Sequence, residues 1–397
     1  MTIPRRKFLA GLAAAAGAAP LLTSTNAAAQ RGGESGGQVR DPIAPTRPPK
    51  FTYSKPIIDA HFHWYPPEFA DLIEKEGAAN GVTDIKRNAN GELTCTVPGY
   101  HPYAPHASFR RDMNDVDTML KAMDERKVNM CTLTQTNPHI LWAPPAFGLK
   151  LAQAINDSSS ALCVKYPKRF TAALTLPMQD VKASLYELER ARKLPGMKAV
   201  NITENILGRN LGDRDFWPVY EAVEAANLPI FLHNVDPISE RMLEKDYSMI
   251  NVLGNPFEAT MAAMSLVLSG AMDQFPKLDV FFPHAGGFFA FVTPRADWSM
   301  GTAAYSPRGR TNSFANLKQP RVSDYRRRYH YDLIMHDPAI TRMLIDLVGV
   351  DRVTCGTDYP QGMGVMKPVE YVEMIPGITQ KEAETILCDN PARLLRL

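Results

Sequence analysis

His61 and His63 stand one residue apart at the end of the apolar run 56–60. If that run is a strand, alternate side chains share a face, and two imidazoles so placed can reach one metal ion. Three more candidates follow apolar runs in the same way: His233 after 228–232, His284 after 280–283, and Asp358 after 353–357. A mononuclear site needs three or four nitrogen or oxygen ligands and an open position. His61, His63, His233 and Asp358 would supply the ligands. His284 is then left to carry a proton, a task suited to an imidazole near its ordinary pKa, and Asp358 is the second candidate for acid–base work. Each residue alone is more often a packed or surface side chain. Their shared position at the ends of apolar runs is what makes them a constellation.

Such a constellation needs elements that bring distant residues to one place. Eight short β-rich apolar runs, at 56–61, 129–134, 169–176, 197–202, 229–233, 279–284, 329–335 and 352–357, alternate with stretches whose apolar residues recur at three and four. Those stretches predict helices at 112–126, 148–166, 181–193, 215–226, 257–275 and 338–347. The order predicts an α/β fold, a (β/α)8 TIM barrel, in which all strand carboxyl ends open on one face. Residues 78–106, rich in Gly, Pro, Asn and Tyr, read as a flap inserted after the first strand. Extra helices are expected at 367–374 and 380–395. Trp142, His336, His139 and Trp64 lie near strand ends and are secondary candidates for the mouth of the barrel.

Composition narrows the classes. Of 397 residues, 45% are hydrophobic and 22% charged, enough for a large core and against wholesale disorder. The net charge is only +2, with no polybasic footprint for nucleic acid. Five scattered cysteines without CxxC spacing argue against a disulfide framework and a cysteine zinc site. At the amino terminus, Arg5 and Arg6 precede Phe8-Leu9, a mild apolar run to Leu22, and Ala27-Ala28-Ala29. This layout predicts a twin-arginine signal peptide over 1–29 and a periplasmic or secreted enzyme. The apolar run is short and broken by Pro20, so no membrane span is expected. Residues 30–50 read as a disordered linker and 51–397 as the barrel domain.

The motifs Asp59-Ala60-His61-Phe62-His63, Tyr166-Pro167-Lys168-Arg169-Phe170, Thr175-Leu176-Pro177-Met178-Gln179, Phe275-Pro276-Lys277-Leu278, His284-Ala285-Gly286-Gly287 and Gly356-Thr357-Asp358-Tyr359-Pro360 together resemble the amidohydrolase superfamily. The likeness is in particular to its branch of carboxymuconate-semialdehyde and benzoate-type decarboxylases, from about residue 56 onward. The resemblance implies one divalent metal, usually zinc with manganese as the second choice, held by His61, His63, His233 and Asp358. It implies that His284 activates metal-bound water or shuttles a proton, and that Arg295 grips the carboxylate of a small-molecule substrate. A second substrate arginine would be Arg110 or Arg111. The branch is also compatible with a homodimer. Two departures concern pocket shape: His233 is followed by Asn234-Val235-Asp236 where an aromatic residue is usual, and Ala285 stands where a glycine is usual. Binuclear relatives carry a carboxylated lysine at the end of the fourth strand. Here Lys198 stands at its start, which points to one metal. The resemblance favours a non-oxidative carboxy-lyase acting on an unsaturated or aromatic acid. A hydrolase of a lactone, amide or ester is the alternative the same ligands allow, and a non-catalytic metal-binding barrel is a third.

Overall fold

The structure, a computed structural model, describes residues 48–98, 107–234, 248–301 and 316–397. The signal-peptide reading of 1–29 and nearly all of the linker lie outside the described residues. Seven parallel strands form one sheet in chain order: β1 (Ile58–His63), β2 (Met130–Thr134), β3 (Phe170–Thr175), β4 (Met197–Thr203), β5 (Ile230–His233), β6 (Val280–Phe282) and β7 (Tyr329–Tyr331). Nearly every strand residue is buried, as expected of parallel strands covered on both faces. The eighth run forms no continuous ladder, yet it closes the gap between β7 and β1. Thr354 N–H donates to Tyr331 O at 2.8 Å, Ala60 N–H to Cys355 O at 2.9 Å, and His63 N–H to Tyr359 O at 2.8 Å. Parallel bridges Tyr331↔Val353 and Phe62↔Tyr359 mark the two seams. The fold is the expected α/β TIM-type barrel.

Two expected strands are shorter than their apolar runs. β6 stops at Phe282 because His284 and Ala285 already have φ of 50° and 53°, and β7 stops before Asp332, whose carboxylate caps the turn. Two expected helices are divided. The stretch 112–126 breaks at Asp115, whose side chain accepts from Thr118 N–H and starts the helix Val116–Glu125. The stretch 257–275 breaks at Gly270, φ 86°, between Asn255–Leu268 and Ala271–Gln274. The other helices fall close to their expected positions: Pro145–Lys165, Val181–Ala191, Trp217–Ala225 and Pro338–Val348. Beyond the barrel come Pro368–Met374, Gln380–Glu384 and Asn390–Leu394.

The insertion after β1 contains a three-stranded antiparallel sheet of Thr83–Arg87, Leu93–Thr96 and Ala107–Phe109. Its Leu93, Cys95 and Phe109 pack with Tyr65 and Phe69 into a cluster separate from the main core. Residues 99–106 of the insertion are outside the described set. Inside the barrel, Ala60, Ala173 and Ala199 pack with the larger Phe231 and Phe281, and the carboxy-terminal Leu394 and Leu395 join them. Among the described residues no helix is long and apolar enough to cross a membrane.

Candidate metal centre

β1 is not a regular strand. Asp59 faces Cys131 and Phe62 faces Leu133, so β1 takes three steps where β2 takes two. Such a bulge re-aims side chains, and it falls at Ala60–His61. Asp59 stabilises the local geometry by accepting from His61 N–H at 3.0 Å and from Thr357 N–H and Oγ1–H at 3.0 and 2.5 Å. Burial raises its carboxyl pKa to about 6, against the pull of those donors. The same contacts tie the eighth segment to β1 and set the direction of Asp358, itself at φ 59°. Gly356 is required here: a Cβ on it would lie 2.8 Å from Asp332 Cβ and 2.9 Å from His61 Cβ.

His61, His63, His233 and Asp358 are all buried, and one ligand atom from each lies within 4.8 Å of the others. His63 Nε2 is 2.7 Å from Asp358 Oδ1, His61 Nε2 3.2 Å and His233 Nε2 3.7 Å. The remaining ring nitrogens explain this aim. His61 Nδ1 donates to Asp332 Oδ2 at 2.9 Å, and His233 Nδ1 to the Asn234 carbonyl at 3.0 Å. His63 Nδ1 lies 3.3 Å from Thr134 Oγ1, whose own proton goes to Phe62 O. With Nδ1–H held, each Nε2 lone pair is free for a shared centre. Nε2 of His61 and of His233 are buried without a hydrogen-bond partner. Three imidazoles and one carboxylate with orphaned donor atoms are a fitting set for a divalent cation.

The electrostatics agree. Burial lowers the pKa of His61, but the carboxylates of Asp358 and Asp332 on either side outweigh it and raise it to about 10. Burial pushes His63 down to about 4 and His233 well below the ordinary imidazole value. Although burial acts the other way, His61, His233 and His284 hold the Asp358 carboxyl well below the usual range. The pocket thus favours a positive charge between two carboxylates and keeps two of its imidazoles neutral.

His284 stands at the edge of this group, its Nε2 3.8 Å from Asp358 Oδ2 and its Nδ1 without a partner. Asp332 fixes its backbone by accepting from His284 N–H at 3.0 Å and Ala285 N–H at 2.7 Å. Ala285 occupies the left-handed region at the position where glycine is usual; an L-residue pays about 1–2 kcal/mol there. Asp332 therefore links His61 to the backbone that carries His284. Sequence reasoning missed it, because its position falls inside the run 329–335 read as strand.

A cavity of about 820 Å³ opens above these residues and is lined by His233, His284 and Asp358 at its base. Of the other expected site residues, His336 lines it, at φ 57°. Arg110 also lines it, its guanidinium held by Asp112 and the Pro360 carbonyl. Trp142 lies outside the lining, with Nε1–H donated to the His139 carbonyl at 3.1 Å and its ring against Phe147. Trp64 and His139 are buried and also outside it. Arg295 is exposed on the helix Phe289–Gly301, away from the cavity wall of its own chain.

A closed barrel with a three-histidine, one-aspartate cluster at its carboxyl face defines a metal-dependent barrel enzyme. The amidohydrolase family model matches residues 58–397, and the chain belongs to that family. It is 28% identical over 346 residues to 2-amino-3-carboxymuconate-6-semialdehyde decarboxylase of Dictyostelium discoideum, covering 86% of this chain and 91% of the relative. It is 25% identical over 302 residues to gamma-resorcylate decarboxylase of a Polaromonas species, covering 71% of this chain and 88% of the relative. Among solved structures, a dihydroxybenzoic acid decarboxylase from Polaromonas, with bound manganese and the inhibitor 2-nitroresorcinol, has a TM-score of 0.64 at 20% identity, covering 86% of this chain and 97% of that one.

Proposed function

We propose that the protein is a metal-dependent, non-oxidative decarboxylase of an unsaturated or aromatic carboxylic acid. The observation that carries the reading is the position of His284. It reaches the cavity base beside four ligand-type side chains without being one of them. Similarity to named decarboxylases over most of the chain supports the same reaction class.

When bound by His61, His63, His233 and Asp358, a divalent cation supplies Lewis-acid polarisation of a substrate oxygen and acidifies water. Manganese and zinc both suit the donor set. The chain's own residues do the rest. The Arg110 guanidinium on the cavity wall meets the substrate carboxylate as it enters. Arg295, expected in that role, would have to act from outside its own chain's cavity. His284, with its backbone held by Asp332, delivers a proton to the carbon that bears the carboxylate. The new carbon–hydrogen bond takes its electron pair from the unsaturated system of the substrate; the carbon–carbon bond then breaks, its pair returns to that system, and carbon dioxide leaves. Solvent reprotonates His284 through the cavity. No redox cofactor takes part.

The test is carbon dioxide release by zinc- and manganese-loaded enzyme from a panel of hydroxybenzoates and carboxymuconate-type acids, with lactones alongside. Release from at least one acid is expected, falling about 10²–10⁴-fold in His284→Gln while metal content is retained. Ring-opened product without carbon dioxide would replace this reading with hydrolysis. The exported state is part of the proposal: Arg5→Lys with Arg6→Lys should abolish recovery of the enzyme from the periplasm, and unchanged export would contradict it.

A further inference from the structure

The cavity above the four ligand-type side chains has room for more than a one-ring acid. Its roughly 820 Å³ lies toward the top of the range of about 300–1,000 Å³ that holds drug-sized ligands. Its wall is also graded. The base is buried and polar, with His233 and Asp358 each 4% exposed. Most of the exposed wall is apolar: Val252, Phe288, Ile340, Met343 and Met363 line the same cavity at 38–57% exposure, with Ser108 and Asn251 among its exposed polar members. These five apolar residues come from four separate segments: the turn Ile250–Gly254, the loop after His284, the helix Pro338–Val348 and the loop after Asp358. Five large apolar side chains brought by four segments to the wall of one cavity are not scattered surface hydrophobicity. Two of them are methionines, whose unbranched, polarisable side chains adapt to flexible apolar ligands.

We infer that the substrate is amphiphilic: a carboxylated aromatic or unsaturated head at the metal centre, carrying an alkyl tail of several carbons that lies against this apolar wall. This inference rests on the decarboxylase reading for the identity of the head, and on the wall alone for the tail. The tail covers wall surface that is otherwise exposed to water. Each methylene fully buried contributes about fourfold in binding, and partial cover reduces that figure.

The experiment uses metal-loaded enzyme and a series of 6-alkylsalicylic acids with methyl, propyl and pentyl chains. Carbon dioxide release gives kcat/KM and calorimetry gives Kd for each acid. From methyl to pentyl, kcat/KM should rise, or Kd fall, by about tenfold or more. In the double variant Met343→Asp, Met363→Asp the pentyl-to-methyl ratio should drop below about threefold. A flat or falling series in both measurements, or a ratio unchanged in the double variant, overturns the inference. If no acid is decarboxylated but Kd still tightens with chain length, the reaction assignment fails and the tail site stands. If the methyl acid is both turned over and bound as well as the pentyl acid, the reverse holds.

Discussion

Replacing Asp332 by asparagine should weaken metal binding without removing any ligand. Oδ1 accepts from Ala285 N–H and Ile334 N–H, and Oδ2 accepts from His61 Nδ1–H and His284 N–H. The introduced amide can keep its oxygen on the first pair, which turns its nitrogen toward two donors. Each buried donor left unpaired costs about 1–3 kcal/mol. His61 can escape by moving its proton from Nδ1 to Nε2, but that proton then occupies the lone pair aimed at the metal. Both outcomes penalise the loaded state. Substitutions of this kind cost about 10–100-fold in metal affinity, or about 1.4–2.7 kcal/mol. The assay is competition with a chromophoric chelator for zinc and for manganese, with near-ultraviolet circular dichroism as the check on folding. An affinity within about threefold of the wild type, in a variant with an unchanged dichroism spectrum, would refute the assigned link between Asp332 and His61.

Two further outcomes follow from the geometry. Gly356→Ala places a Cβ 2.8 Å from Asp332 Cβ and 2.9 Å from His61 Cβ; metal affinity should fall about tenfold or more, and chelator competition checks it. Glu204 lies buried at the end of β4 with both carboxyl oxygens unpartnered. Burial, reinforced by the charge of Glu258, raises its pKa well above the ordinary value of 4.5. A folded-state pKa above the unfolded one means that this group costs no stability below that ordinary value. The cost grows as pH rises from there toward the folded value. Glu204→Gln escapes that cost, so in chelator-treated protein its melting temperature should match the wild type at about pH 4.5 and exceed it by about 2 °C or more at about pH 8. A constant difference between the two pH values would show that Glu204 is not held neutral by burial.

Much of the site was legible because its residues sit where apolar runs end, and burial on both faces of a parallel strand leaves a strong sequence signal. His61, His63, His233, His284 and Asp358 could all be read this way, with convergence supplied by the barrel. What could not be read depends on backbone geometry. The bulge that aims His61 adds one residue to an otherwise ordinary strand pattern. Asp332 holds three backbone N–H groups and one imidazole, and such a partner set has no sequence signature. It was hidden inside a run that reads as strand to Met335. The eighth strand is reduced to bridges because Gly356 must pass close to two side chains. Arg295 was expected from the family resemblance, but the rotation of its helix decides where it faces, and its side chain is exposed. Trp142 was placed near the mouth by its segment, while its N–H and ring are engaged by His139 and Phe147.

The central claim is that four side chains hold one divalent cation at the carboxyl face of the barrel. The most direct measurement is metal content by elemental analysis after reconstitution and gel filtration, for the wild type, His61→Ala and Asp358→Ala. One equivalent per chain is expected in the wild type and close to none in either variant, with the fold preserved. Two equivalents in the wild type, or a full equivalent retained by Asp358→Ala, would contradict it.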